Sequence, residues 1–246
     1  MKNISLIVLF GMLAFFSICR LSAAELLISP VNIDIPSGEK AAILKLQNNS
    51  NSPMKIQIRI RNWDSSDTTQ SKPKVIASPA FLNIFPGKQQ VVRIVNTGLA
   101  SNIDQERLYR VFLDEIPSND KKSEQGLLLQ VRYALPLFIG GPDLSVARTN
   151  NFSQLKSIWN RAISYSHNKA INQIGFNNQA NGHARISKLR FSDSTGKETV
   201  IFGGLLGYVR ANSQEFFNIP PVALTTSSTL YAEINGVDVE IESDKR

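Results

Sequence analysis

Residues 126–138 read Gly126-Leu127-Leu128-Leu129-Gln130-Val131-Arg132-Tyr133-Ala134-Leu135-Pro136-Leu137-Phe138. Leu127, Leu129, Val131 and Tyr133 alternate with Leu128, Gln130, Arg132 and Ala134, and a repeat of two is the period of a β-strand rather than of a helix. Apolar residues stand on both faces, so the strand reads as having a duty on each. A charged loop, 118–125 (SNDKKSEQ), precedes it, and Gly140-Gly141-Pro142 follow it. A strand in that position ends one domain and still offers apolar side chains to something outside it, with Leu128 and Ala134 left to close the domain's own core.

Upstream, the chain alternates repeatedly. Val31, Ile33 and Ile35 share a face before Pro36-Ser37-Gly38 turns the chain, and Ala42, Leu44 and Leu46 share one in 41–47. Ile56, Ile58 and Ile60 form the dry face of 55–61. Further strands are predicted near Val75, over 81–85, over 90–95 and over 107–116, where Pro117 ends the run. Arg110 and Asp114 share a face with Leu108 and Phe112, which reads as a mixed face or one near a sheet edge. About seven short strands with turns between them predict an immunoglobulin-like β-sandwich.

Downstream of Gly140-Gly141-Pro142-Asp143 the composition turns polar and Asn-rich. Strands are expected over 170–176, 183–191, 200–202, 214–219 and 230–234, and Asn181-Gly182 and Asn235-Gly236 suit tight turns whose central residues take positive φ. The fold class expected is therefore all-β, two immunoglobulin-like sandwiches over 25–139 and 144–246 joined by a hinge at 140–143.

The first residues have a different character. Lys2, the apolar run 4–18 and Ser22-Ala23-Ala24 read as a secretory signal over 1–24. Its removal takes away Cys19, the only cysteine, so no disulfide is expected, and lowers the formal charge from +7 to +5. A mildly basic chain with acids interspersed does not read as a nucleic-acid binder.

Catalytic chemistry finds little purchase. His167 and His183 lie in no ligand-spaced cluster, and His183 reads as a side chain flanking the Asn181-Gly182 turn. Gly203-Gly204-Leu205-Leu206-Gly207 lacks the Lys-Ser/Thr of a phosphate loop and reads as a bend or bulge within a strand. No enzyme, metal or cofactor is expected.

Several motifs in this order resemble a known family. They are Ile28-Ser29-Pro30-Val31, the run from Gln57 to Trp63, Pro86-Gly87-x-x-Gln90-x-Val92-Arg93, Tyr109-Arg110-x-x-x-Asp114-Glu115-Ile116-Pro117, Arg132-Tyr133-x-x-Pro136-Leu137-Phe138 and, further on, Asn178-x-x-Asn181-Gly182-His183-Ala184-Arg185. The chain resembles the two-domain periplasmic pilus-assembly chaperones, and most nearly their archaic branch, which serves spore-coat-protein-U-like subunits. The resemblance implies a periplasmic protein that binds pilin or coat subunits lacking one strand, fills the gap with its own seventh strand, and passes them to an outer-membrane usher. Leu127, Leu129, Val131 and Tyr133 are then the donor residues.

The resemblance further implies a basic anchor for the subunit's terminal carboxylate. Arg132, the only basic residue in the strand, is the candidate, with a solvated or intradomain pair as its alternative; the sequence departs from the family in that the lysine position falls at Ala134 and the first strand offers Asn32 or Ile33 where an arginine is expected. Arg93 and Glu106 match a structural ion pair of the family, whose third member would fall near Gly236 or Asp238. A free chaperone could also cap itself as a homo-oligomer. The competing reading is a secreted structural or adhesive β-protein that is itself an assembly subunit; such a subunit carries its donor segment at a free N-terminus, whereas here it is internal.

Overall fold

The computed structural model describes residues 25–63, 74–98, 106–117, 131–142, 151–222 and 228–244. Its first half is two facing sheets. One holds β1 (Leu26–Ser29), β3 (Ala41–Asn48), β7 (Gln89–Asn96) and β5 (Val75–Ser78), in the order β1-β3-β7-β5. The other holds β2 (Ile33–Ile35), β9 (Arg132–Ile139), β8 (Arg107–Ile116), β4 (Met54–Asn62) and β6 (Phe81–Ile84), in the order β2-β9-β8-β4-β6. Alternation does the work: Leu44 and Leu46 from one sheet meet Ile56, Ile58, Val111, Leu113 and Leu137 from the other, all buried, while the residues between them face outward.

The second half has its own buried cluster around Trp159 and Phe176. Its strands are β10 (Ile163–Asn168), β11 (Gln173–Asn178), β12 (Ala184–Ser192), β13 (Glu198–Val209), β14 (Ser213–Asn218), β15 (Thr229–Ile234) and β16 (Val237–Ser243), ordered β13-β12-β15-β16-β10-β11-β14. The fold is all-β in class, two β-sandwich-like domains consistent with the immunoglobulin-like expectation.

Several expectations need correction. A helix, α1 (Phe152–Ala162), precedes β10; Asn151 caps it by accepting the Gln154 N–H at 3.1 Å, and Leu155 and Trp159, one turn apart, bury its inner side. Nine strands stand where about seven were counted in the first half, because the N-terminal run splits between both sheets and Val75–Ile84 forms two strands. Val31 does not share the core face of Ile33 and Ile35; it precedes β2 and is 61% exposed. The mixed face of 107–116 belongs to a central strand, since β8 lies between β9 and β4. Asn235 and Gly236 both take positive φ in the β15–β16 turn, as expected, whereas neither Asn181 nor Gly182 does; there the Asn178 side chain ties the loop by donating to the Gly182 carbonyl at 2.9 Å. The Gly203–Gly207 stretch lies within β13, opposite register shifts in β12, which is the bulged strand anticipated.

His167, on β10, has both ring nitrogens shut off from solvent, with no hydrogen-bond partner among the described residues. Burial, and secondarily the charge of Lys169, push its pKa down, so the folded state holds it neutral. The unfolded chain protonates it at about pH 6.5. The stability this confers is therefore complete above that pH and is lost as pH falls through the depressed folded value. Urea midpoints are expected to drop between pH 7.5 and 5, and His167→Leu to flatten that part of the profile; an unchanged slope in the variant would assign the loss to other groups.

Candidate functional site

The site is the N-terminal half of β9, built from its backbone outward. On one side β9 pairs antiparallel with β8 along its whole length, from Arg132 opposite Asp114 to Ile139 opposite Arg107. On the other side β2 pairs with it in parallel over three residues only, Leu137, Phe138 and Ile139. Residues 132–136 thus present a sheet edge to which no strand is paired among the described residues.

The phase of that edge follows from two hydrogen bonds. Glu115 donates its N–H to the Val131 carbonyl at 3.4 Å, so Val131 and Glu115 form a hydrogen-bonded pair, and in an antiparallel ladder such pairs recur at every second residue. Tyr133, Leu135 and Leu137 therefore bond to β8, while Arg132, Ala134, Pro136 and Phe138 turn their backbone groups the other way. Gly140 checks this: its N–H, in the same phase as Phe138, donates to Ile35 of β2 at 2.9 Å. Arg132 and Ala134 each turn an N–H and C=O without a strand partner among the described residues to the open edge, whereas Pro136 has no N–H and its carbonyl is met by the Ile33 N–H at the end of the β2 pairing.

The side chains have their own phase. Leu135, Leu137 and Ile139 are buried in the first core, and Tyr133 is packed half-buried against it. The core side of β9 is thus the side of Tyr133, and Ala134, expected to close the core, is exposed on the outer face. Val131 continues the inward side but stands level with Glu115, at the end of the sandwich, 42% exposed. Leu127, Leu128 and Leu129 lie outside the described residues.

On the outer face Arg132 donates through Nε to Asp114 Oδ1, and Arg59 donates to Asp114 Oδ2 at 2.7 Å. Both guanidiniums lie about the Phe112 ring, at 5.9 and 6.0 Å from its centroid. Burial alone would raise the Asp114 pKa, but the hydrogen bonds from Arg132 and Arg59 outweigh it and hold the carboxyl below its ordinary value. Arg132 is therefore in the intradomain pair that stood as its alternative, though its side chain is still 62% exposed.

Arg93 and Glu106 are not brought together. Arg93 is exposed on β7, opposite Ile43 and Ser78. Glu106, just before β8, meets the second domain instead: its carboxylate accepts the His183 backbone N–H at 2.8 Å and contacts the ring Nδ1 at 2.9 Å. The same imidazole stacks on Phe138 of β9, centroids 3.5 Å apart and planes within 8°. Tyr208 of β13 joins this contact, donating its hydroxyl to Asn32 at 3.0 Å and meeting Trp63 edge-on. His183 is thus an interdomain residue and not merely a turn neighbour. Gly141 is wedged beside it at φ +72°, where a Cβ would come within 2.9 Å of Glu106 and 3.2 Å of the Asn181 carbonyl. Glu106 could be found from sequence; its partner, 77 residues on, had no local signal.

Among the described residues no group of three His, Cys, Asp or Glu is placed to hold a metal. Among the described residues, the two-domain fold thus leaves one long strand without a paired neighbour along half of an edge. Residues 25–144 match the family model described as pili and flagellar-assembly chaperone, PapD N-terminal domain. Chaperone protein HifB of Haemophilus influenzae is 29% identical over 145 residues, 56% of this chain and 60% of that protein, and Chaperone protein LpfB of Salmonella typhimurium is 28% identical over 47% and 50%. The chain thus spans half to three fifths of the length of these curated relatives. In fold it is similar to a chain of the CsuC–CsuE chaperone–tip adhesion subunit pre-assembly complex from archaic chaperone-usher Csu pili of Acinetobacter baumannii, with TM-score 0.61 and 24% identity over 90% of this chain and 100% of that one.

Proposed function

We propose that this protein is a periplasmic chaperone that captures secreted pilin or coat subunits by donor-strand complementation and releases them to an outer-membrane usher. The observation that carries the proposal is the open edge of β9 at residues 132–136, beside an inward side-chain row that runs past the end of its own core. A subunit missing a strand exposes an edge and an apolar groove, both hazards for aggregation. Pairing with Arg132 and Ala134 would satisfy the first; Leu127, Leu129 and Val131, with Tyr133 continuing their row, would fill the second. Each apolar side chain so buried contributes about 1.5–3 kcal/mol before ordering costs.

In this reading residues 1–24 are a signal removed on export, 25–139 the capturing domain, 140–143 the hinge and 144–246 the second domain, and the chain stands with the archaic branch. The free edge is also where two copies could cap one another. For a terminal carboxylate, Arg132 would have to leave Asp114, whereas Arg110, 4.5 Å over the Trp63 ring and without an acid partner among the described residues, is uncommitted. Amide hydrogen exchange tests the proposal. In the complex formed with a co-expressed secreted subunit, the amides of Arg132 and Ala134 should exchange at least tenfold or so more slowly than in the free chain; equal rates in an intact complex would place docking elsewhere.

A further inference from the structure

The outer face of the β2-β9-β8-β4-β6 sheet carries more positive charge than the fold uses. Across β4, β8 and β9 it presents Lys55, Arg59, Arg61, Arg110 and Arg132 against a single acid, Asp114, which Arg59 and Arg132 already share. Asp34 of β2 lies farther along, beside Phe138, and is itself engaged. Arg61 and Arg110 stand directly opposite one another in the β4–β8 ladder, both exposed, with no acid partner among the described residues. Like charges directly opposite on a sheet oppose folding, a local cost against which the described residues set the contact of Arg110 with the Trp63 ring.

The register shows what could offset it. The row Arg59, Phe112, Ala134 runs out to the open edge of β9, and the row Arg61, Arg110, Pro136 ends next to it, where β2 begins to pair. At that edge Ala134 and Pro136 are short, and Arg132 turns back past Phe112 to Asp114, so a strand laid alongside, one strand spacing of about 4.8 Å away, comes to lie next to the charged face. Such a strand continues the sheet, and its outward side chains join the same face.

We infer that the segment seated on the β9 edge is acidic on its outward face: the partner strand alternates apolar residues, directed inward, with aspartate or glutamate at the positions level with Arg132 and Ala134. This rests on the capture function proposed above and narrows its substrates to subunits bearing such a strand. Surface pairs of this kind are individually weak and sensitive to salt, so they act as a selector more than as the main source of affinity.

Labelled 12-residue peptides alternating valine with glutamate, glutamine or lysine serve as probes of the purified protein, read by fluorescence anisotropy. The glutamate peptide is expected to bind about tenfold more tightly than the glutamine peptide at low salt, with the lysine peptide weakest. The advantage should vanish at ~0.5 M salt and in the doubly substituted Arg61→Gln/Arg110→Gln protein, but persist with lysine at both positions, a variant that keeps the charge if the glutamine form folds poorly. Equal binding of all three peptides, abolished by Ala134→Pro, would overturn the acidic preference while leaving the edge as the docking line. Binding of none would overturn both. Arginine-dependent binding to phosphatidylglycerol vesicles, with no preference among peptides, would reassign the face to an anionic lipid surface and overturn the inference.

Discussion

Leu135→Pro is expected to unfold the first sandwich, and Ala134→Pro, one residue earlier, to leave it folded and unable to hold a subunit. The contrast follows from the phase of β9. Leu135 exchanges backbone hydrogen bonds with Val111 and its side chain is buried in the core. Proline there removes a ladder bond and wedges its ring into the sheet, costing about 3 kcal/mol or more. Replacing the leucine side chain in a packed core adds roughly 1–3 kcal/mol. Together these approach the roughly 5–15 kcal/mol that holds a whole domain folded. Ala134 is exposed, and its N–H points to the open edge. Proline on an edge, with its nitrogen toward solvent, is tolerated at a cost of about 1 kcal/mol or less. What it removes is the donor that an incoming strand would use, and its ring obstructs close approach. Thermal unfolding followed by circular dichroism reads the first effect, and recovery of co-purified subunit reads the second. Comparable destabilisation by both substitutions would show that the phase assigned to β9 is wrong; full capture by a folded Ala134→Pro protein would show that the edge is not used.

How far the sequence reaches is clearest strand by strand. Residues 107–116 were bounded in advance because Leu108 to Ile116 alternate between a core and a mixed face, and Pro117 stops the run; β8 has those ends. Ile56, Ile58 and Ile60 marked β4 for the same reason. The period of two is visible wherever one face is wet. On β9 it is hidden, because Leu137 faces the core while Phe138 is covered by His183, so both parities are apolar. Ala134 was therefore assigned to the wrong side. Pro136 held the information: lacking an N–H, it fits the phase that faces away from β8.

Other features were obscured for different reasons. The helix α1 buries only Leu155 and Trp159, a pattern of two points that polar neighbours swamp; Asn151 three residues before Gln154 was its best sequence signal. The strand 230–234 and the Asn235-Gly236 turn are legible in the sequence, and so is the alternation of Val237, Val239 and Ile241 that turns the return strand β16 inward. Glu106 was singled out for an ion pair, and it does form a nearly buried contact, at 5% side-chain exposure, but with a histidine of the other domain. No local pattern encodes a partner chosen by domain packing.

The largest binding effect is expected from Leu127 and Leu129. Both share the parity of Val131 and Tyr133, whose row is spent on the core at Leu135 and leaves it at Val131. An aspartate at either position would place a carboxylate where an apolar groove is to be filled, a penalty of at least a few kcal/mol unless it is paired. Two such changes together are expected to weaken binding about a hundredfold or more, and circular dichroism of the variant checks that the fold survives. The most direct measurement is periplasmic co-expression of a secreted subunit with the parent chain and with the doubly substituted Leu127→Asp/Leu129→Asp chain, followed by size-exclusion analysis of the purified material. The result expected is a stable 1:1 complex with the parent and free, folded protein with the variant; an equally abundant complex with the folded variant would contradict strand donation by this segment.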